Sequence, residues 1–206
     1  MLLASTPMRA LALALAAFAA APLCAQHGAP APPADGDSLA VVETFVVEGL
    51  RVAPDAIPPG SAVGRAGLRY ADGGYVSVVH GKPYVRGRTV WGGLMGYGTV
   101  WAAGAHRATE LATTVPLVVG GTRIEPGVYA LFVTPREGAW TLHVNRRPGQ
   151  HLADAYDPAD DLATAAASPT ATAHVEGLTW SFAEDGAALV LAWGDRAAAF
   201  KIERPK

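Results

Sequence analysis

Side chains able to do chemistry are densest between His80 and Trp101. His80-Gly81-Lys82-Pro83-Tyr84-Val85-Arg86-Gly87-Arg88 runs on into Val90-Trp91-Gly92-Gly93-Leu94-Met95-Gly96-Tyr97-Gly98-Thr99-Val100-Trp101, so four aromatics and three cations share one segment. Glycine at this density lets the backbone turn tightly and come close to a ligand. Arg88 carries a planar fork that suits a carboxylate or phosphate, and Trp91, Tyr97 and Trp101 offer faces on which a sugar or a cation stacks, with Tyr84 beside them. The same composition suits a second role, in which the aromatics plug one end of the fold and the arginine ties down loop carbonyls. His106, Arg107, Asn145, Tyr156 and Asp157 complete the set of candidate site residues. Of these, His106 or Asp157 has the chemistry for proton transfer and Arg107 or Arg88 for holding negative charge.

No familiar catalytic motif accompanies them: the chain has no G-x-S-x-G elbow, H-E-x-x-H pair, Walker loop or helix-opening G-x-G-x-x-G. Six histidines raise the question of a metal, but they lack the close spacing of strong sites, and no metal or cofactor is expected. His143 projects with Thr141 and Asn145 from the polar side of an alternating run, which suits a solvated or loop-bonded imidazole. Asp154, Asp157, Asp160 and Asp161 form an acidic run without the glycine and final glutamate of a calcium loop, so turn-making and helix capping explain it.

The elements that must position these groups are short apolar runs split by turn residues. Ala40–Val47, Tyr75–Val79, Glu110–Val119, Val128–Val133, Trp140–Val144, Leu178–Phe182, Ala188–Trp193 and Ala198–Ile202 are mostly rich in β-branched or aromatic side chains and read as strands. Between them stand Asp72-Gly73-Gly74, Gly120-Gly121, Pro126-Gly127, Glu137-Gly138, Asp185-Gly186 and Gly194-Asp195, which tolerate or preset turns. The spacing predicts an all-β, mainly antiparallel domain, a sandwich or jelly roll, with at most one or two short helices. Pro158–Ala167 is the best helical candidate, with Asp160 and Asp161 at the positive end of the dipole.

The first 25 residues have the order of a bacterial-type secretory leader: Arg9, an apolar run from Ala10 to Ala21, then a polar break, with cleavage expected after Ala25. That run is shorter than the ~20 residues needed to span a bilayer, and no later segment reaches that length. The one cysteine, Cys24, sits where a lipidated protein would carry its anchor, but Leu23 and Pro22 before it are a poor fit for the peptidase. Cleavage after Ala25 would leave a cysteine-free mature chain, which excludes thiol catalysis and Cys-zinc sites. Gln26 to Ser38, with Pro30, Pro32, Pro33 and Gly36, reads as a linker, and residues 39–206 as one domain. Half the residues are hydrophobic and 17% charged, enough to bury a core. The formal charge of −2, which becomes −3 once Arg9 leaves with the leader, gives no basic excess for nucleic acid.

The glycine- and aromatic-rich stretch resembles the secreted bacterial family known as domain of unknown function 2911. Its pattern runs G-[RK]-P-x-V-K-G-R, then W-G-G-L-x-x-Y-G-x-V-W-R-x-G-A-N-E-A-T, and Gly81–Arg88 and Trp91–Thr109 are similar to it. The likeness continues through Gly120-Gly121, Pro126 to Phe132, Pro135, Trp140-Thr141, Asn145 and Tyr156-Asp157. The resemblance implies no activity. Ala102, His106 and Arg107 stand where the pattern has Arg, Asn and Glu, and Lys82 where it usually has Arg, so an acidic position has become basic. A catalytic or cation-binding role of that cluster would be lost or altered here, whereas a structural clasp would have changed its partners.

The leading functional expectation is a non-catalytic periplasmic or extracellular module that binds a small polar ligand, saccharide or anion, on loops at one end of the sandwich. Two alternatives stay open. One is a hydrolase or lyase using His106 or Asp157 with Arg88 or Arg107, and the other is a structural component of the envelope.

Overall fold

The computed structural model of the chain describes residues 57–205 and, as backbone, the strand Ala40–Val46. The expected leader and linker, with His27 and Cys24, lie outside the described residues, as does Val47 at the end of the first expected strand.

The described residues form two antiparallel sheets facing each other, a β-sandwich and not a closed barrel. In chain order the strands are β1 (Ala40–Val46), β2 (Ala62–Arg69), β3 (Tyr75–Lys82), β4 (Thr109–Thr113), β5 (Leu117–Val119), β6 (Thr122–Ile124), β7 (Gly127–Thr134), β8 (Trp140–Asn145), β9 (Asp161–Ala167), β10 (Thr170–Phe182) and β11 (Ala188–Glu203). The larger sheet runs β1-β2-β3-β4-β7-β8-β9 and the smaller β10-β11-β5-β6. The larger sheet is thus an up-and-down meander from which one hairpin, β5–β6, leaves to complete the sheet opposite. Leu68, Val78, Leu131, Trp140 and Leu142 of the one sheet and Leu178, Trp180, Leu191, Phe200 and Ile202 of the other fill the space between, each at most 2% exposed. This burial, on the order of 2 kcal/mol per large side chain, is the main favourable term in the fold.

Four expectations need correction. Pro158–Ala167 is not a helix: Pro158–Asp160 makes a single 3₁₀ turn, with Asp157 capping the Ala159 amide, and Asp161–Ala167 is β9. Ala163 and Ala165 are buried while Leu162, Thr164 and Ala166 are exposed, so pairing with β8 overrides the helix propensity of alanine. Glu110–Val119 is not one strand, because the chain breaks at Thr114–Pro116 and passes to the other sheet. Pro116 has no amide hydrogen for a ladder, and the Thr113 hydroxyl donates instead to the Val115 carbonyl at 2.5 Å. Gly194-Asp195 is not a turn but a kink inside the 16-residue strand β11. Gly194 has φ 63°, and across it the inward side chains change from Leu189, Leu191 and Trp193 to Ala198, Phe200 and Ile202, a reversal of phase that a bulge produces. Finally β2 was not expected at all, because its glycines hide the strand signal. Added side-chain carbons at Gly64 and Gly67 would meet the His80 and Tyr75 rings across the pair with β3.

His80 fills the space that Gly64 leaves and is 3% exposed. Its Nδ1 hydrogen is donated to the Gly81 carbonyl at 3.1 Å, and Nε2 is buried with no hydrogen-bond partner among the described residues. Burial disfavours the imidazolium, the charge of Lys82 adds to this and the Gly81 carbonyl opposes it, so that the imidazole is pushed down to about 4. An unfolded histidine titrates near ~6.5, so on acidification the unfolded chain takes up the proton first. The His80 contribution is therefore whole above about 6.5, declines as pH falls from there to about 4 and is lost below, for a total of about 3 kcal/mol. An NMR titration is expected to place the His80 midpoint near 4; a midpoint near the unfolded value of ~6.5 would contradict the buried, neutral assignment.

Gly120, in the β5–β6 turn, lies in the left-handed region at φ 56°, and a side-chain carbon there would strike the Thr164 carbonyl of β9. Gly121 has φ 90° but open space around it. Both substitutions to Ala strain the backbone, but only the one at 120 also forces the turn away from the facing sheet. Urea unfolding is expected to show Gly121→Ala costing about 1 kcal/mol and Gly120→Ala about 3 kcal/mol or more. Equal losses would show that Gly120 makes no close approach to β9.

Candidate functional site

The segment between β3 and β4, residues 83–108, joins the two sheets and positions most of the candidates. At its start Tyr84 bridges Gly177 of β10, the Val85 amide donates to the Glu176 carbonyl at 2.8 Å, and the Leu178 amide donates to the Pro83 carbonyl at 2.9 Å. The chain has crossed from β3, inside the larger sheet, to the edge strand β10 of the smaller. Trp91 then enters the interior. Its ring centroid lies 4.2 Å from Trp140 of β8 and 6.2 Å from Trp193 of β11, and Nε1 donates to the Trp193 carbonyl at 3.1 Å. Trp101 packs 6.1 Å from Trp91 and stacks at 5.8 Å on Trp193. Gly98 and Trp101 run beside the end of β7, where β4 has not yet begun: the Gly98 amide donates to the Pro135 carbonyl at 2.7 Å and Trp101 bridges Val133.

Tyr97 is thereby held on the outside, 42% exposed, at the tip of the segment. It lines an open cleft of about 290 Å³ with Glu137 of the β7–β8 turn, Trp140, Pro169 of the β9–β10 connection and Arg196, just past the kink in β11. Glu137 and Arg196 are exposed, and among the described residues neither side chain has a hydrogen bond or an ion pair. One cation, one carboxylate and one aromatic face therefore converge there with their polar atoms unused.

A second polar group lies on the outer face of the larger sheet. Phe132 and Thr134 of β7 and His143 and Asn145 of β8 share that face, as their register requires. Asp161 joins them through a bulge. The β8–β9 ladder pairs Val144 with Ala163 but Asn145 with Asp161, so the extra residue, Leu162, turns outward and the carboxylate faces His143 and Asn145. Asp161 accepts from the Tyr156 hydroxyl at 2.6 Å, from His143 Nδ1 at 2.8 Å and from Asn145 Nδ2 at 2.9 Å. His143 Nε2 lies 2.9 Å from the Thr134 hydroxyl. Burial first, then the hydrogen bond to Asp161 and the charges of Asp161 and Asp157, hold the Tyr156 phenol above its ordinary range, so it stays protonated and donates. Gln150 braces the cluster, its Nε2 donating to Asn145 Oδ1 at 3.2 Å and to the Arg147 carbonyl at 2.7 Å. Phe132, Ala102, Ala108 and Ala130 form a small apolar ledge beneath, on which Tyr156 packs edge-on at 4.8 Å from Phe132.

The candidates read from the sequence therefore divide. Trp91 and Trp101 spend their faces on packing, while Tyr84 is buried with the Arg86 guanidinium 5.8 Å from its ring centroid, and burial raises its phenol. Arg88 donates to the Tyr84 carbonyl at 2.7 Å and the Val85 carbonyl at 3.0 Å. Tyr97 faces the cleft. Asn145 and Tyr156 meet in the outer cluster, where Asp157 contributes its main-chain carbonyl to Asn145 at 3.1 Å while its carboxylate caps the 3₁₀ turn. His106, at φ 68°, and Arg107 are exposed, with no side-chain hydrogen bond or ion pair among the described residues. A left-handed residue 106 explains the asparagine of the family pattern, since asparagine adopts that conformation more readily than histidine. Thr134, His143, Asp161, Glu137 and Arg196 carry no local signal strong enough to single them out. Only the alternation of His143 and Asn145 with Leu142 and Val144 pointed to a polar face. Among the described residues no three His, Cys, Asp or Glu side chains are grouped as metal ligands.

Comparison with curated proteins and with solved structures finds no match. Residues 66–202, well over half the chain and including every residue of the cleft and of the outer cluster, match the family described as "Protein of unknown function (DUF2911)". The chain belongs to that family.

Proposed function

We propose that the chain is an exported module that holds a small polar ligand in the cleft at Tyr97, Glu137 and Arg196. The convergence of one exposed aromatic face with an unused guanidinium and an unused carboxylate carries this reading. A cleft of about 290 Å³ is at the lower end of ligand sites, which suits one sugar ring rather than a chain. Between the two ligand classes, saccharide and anion, the charges favour the neutral one. Arg196 would donate to hydroxyl oxygens and Glu137 would accept from hydroxyl hydrogens, whereas an anion attracted by Arg196 would be repelled by Glu137. Tyr97 would supply the apolar wall for a sugar face. Export rests on the leader order of residues 1–25.

In NMR titrations with neutral monosaccharides and with small organic anions, the sugars are expected to shift amides around Tyr97, Gly138 and Arg196. Tyr97→Ala and Arg196→Gln should each weaken that binding about 10-fold, roughly 1.4 kcal/mol, with little change in stability because both side chains are exposed. Preference for the anions, or sugar binding untouched by both substitutions, would overturn the reading. For export, sequencing the N-terminus of the secreted protein is expected to find Gln26 first.

A further inference from the structure

The outer cluster has a directionality that packing alone does not require. An ionised carboxylate only accepts, so His143 Nδ1 carries the hydrogen shared with Asp161 at 2.8 Å. In the neutral imidazole that leaves Nε2 as an acceptor, and the Thr134 hydroxyl, 2.9 Å away, donates to it. The Tyr156 hydroxyl and Asn145 amide fix the carboxylate from two further directions, so its position and the tautomer of the ring are both set. Hydroxyl, base and orienting carboxylate therefore stand in sequence, each within hydrogen-bond reach of the next. Side-chain exposures of 15% for His143 and 11% for Asp161 place the relay under a thin cover, partly desolvated yet beside solvent.

We propose that Thr134, His143 and Asp161 form a nucleophilic relay that takes an acyl group from a small activated ester onto the Thr134 hydroxyl oxygen and hydrolyses it. Thr134 Oγ1 attacks the ester carbonyl carbon and forms the new C–O bond while its proton passes to His143 Nε2. The bond from that carbon to the leaving oxygen breaks, and His143 returns the proton to the leaving alcohol. A water molecule then gives a proton to His143 Nε2 and attacks the acyl carbon, the bond from that carbon to Thr134 Oγ1 breaks, and His143 passes the proton to Oγ1, releasing a carboxylic acid and restoring the Thr134 hydroxyl. Thr134 is 9% exposed, so the acyl group must be short and unbranched. The pathway is independent of the Tyr97 cleft.

p-Nitrophenyl acetate added to the full mature chain tests this, with release of p-nitrophenol followed and the acetylated residue mapped by mass spectrometry. The wild-type protein is expected to carry one acetyl ester on Thr134. Thr134→Ser should retain turnover, and Thr134→Val and His143→Gln should each lower it about 100-fold or more. His174→Gln, at an exposed histidine of β10 outside both sites, should leave it unchanged, which separates the relay from reaction at surface imidazoles, while sugar binding at the cleft is read separately by NMR. Acetyl groups confined to lysines or to Thr141, or equal release from wild type and folded His143→Gln, would overturn the proposal. Should His143→Gln not fold, the site of acetylation in the wild-type and Thr134→Ser proteins decides alone.

Discussion

Trp91 is held by both sheets at once. Its ring packs on Trp140 of the larger sheet and on Trp193 of the smaller, and its indole hydrogen is donated to the Trp193 carbonyl. Gly194 leaves room for Val90 beside Trp91, because an added side-chain carbon there would press on Val90 at 3.1 Å. A buried tryptophan contributes more apolar surface than any other residue, and each favourable ring pair adds ~0.5–1.5 kcal/mol beyond its burial. Trp91 is the largest side chain that the segment between β3 and β4 places in the core, with Val85, Val90 and Ala103 buried beside it and Trp101 packed against it.

From that anchor the two candidate sites follow by geometry. Residues 92–100 turn back out of the core and set Tyr97 against the β7–β8 turn, while Gly98 and Trp101 borrow hydrogen bonds from the end of β7. A step further the chain splits its neighbours between two environments. Ala103 packs in the central core, its carbonyl accepting from Trp180 Nε1 at 2.9 Å and from the Thr109 hydroxyl at 2.8 Å, whereas Ala102 and Ala108 support Phe132 on the outer face. Ala102 and Ala108, the segment's share of the ledge on which Tyr156 packs, thus belong to the same segment that carries Trp91 into the core. Arg88 serves this arrangement as a clasp on the Tyr84 and Val85 carbonyls, one of the two roles its position allowed.

How much of this could be read from residue order varies with the range of the forces involved. Runs such as Val128–Val133 and Trp140–Val144 declare themselves, since alternation along one strand is a local property. The kink at Gly194 and the bulge at Asp161 are not legible, because each depends on the register of a partner strand. Without the bulge Asp161 reads as one more turn-forming aspartate, and without the phase reversal in β11 Arg196 has no reason to face Tyr97. Alanine-rich β9 looks helical by propensity, and only its pairing with β8 makes it a strand. The family pattern located the segment that matters most, yet most of its aromatic residues proved to hold the sheets together, and Tyr97 alone among them meets the cleft.

The dependence of both sites on one anchor is open to a direct measurement, amide hydrogen exchange in wild-type protein and in Trp91→Ala. Removing a buried indole is expected to cost about 3–5 kcal/mol. The loss of protection is expected to reach Gly98 and Trp101, which follow Tyr97, and His143 and Asn145 on the outer face together, because Ala102 and Ala108 of the same segment support Phe132 and Tyr156 there. Unaltered protection at either place in the folded variant would contradict it.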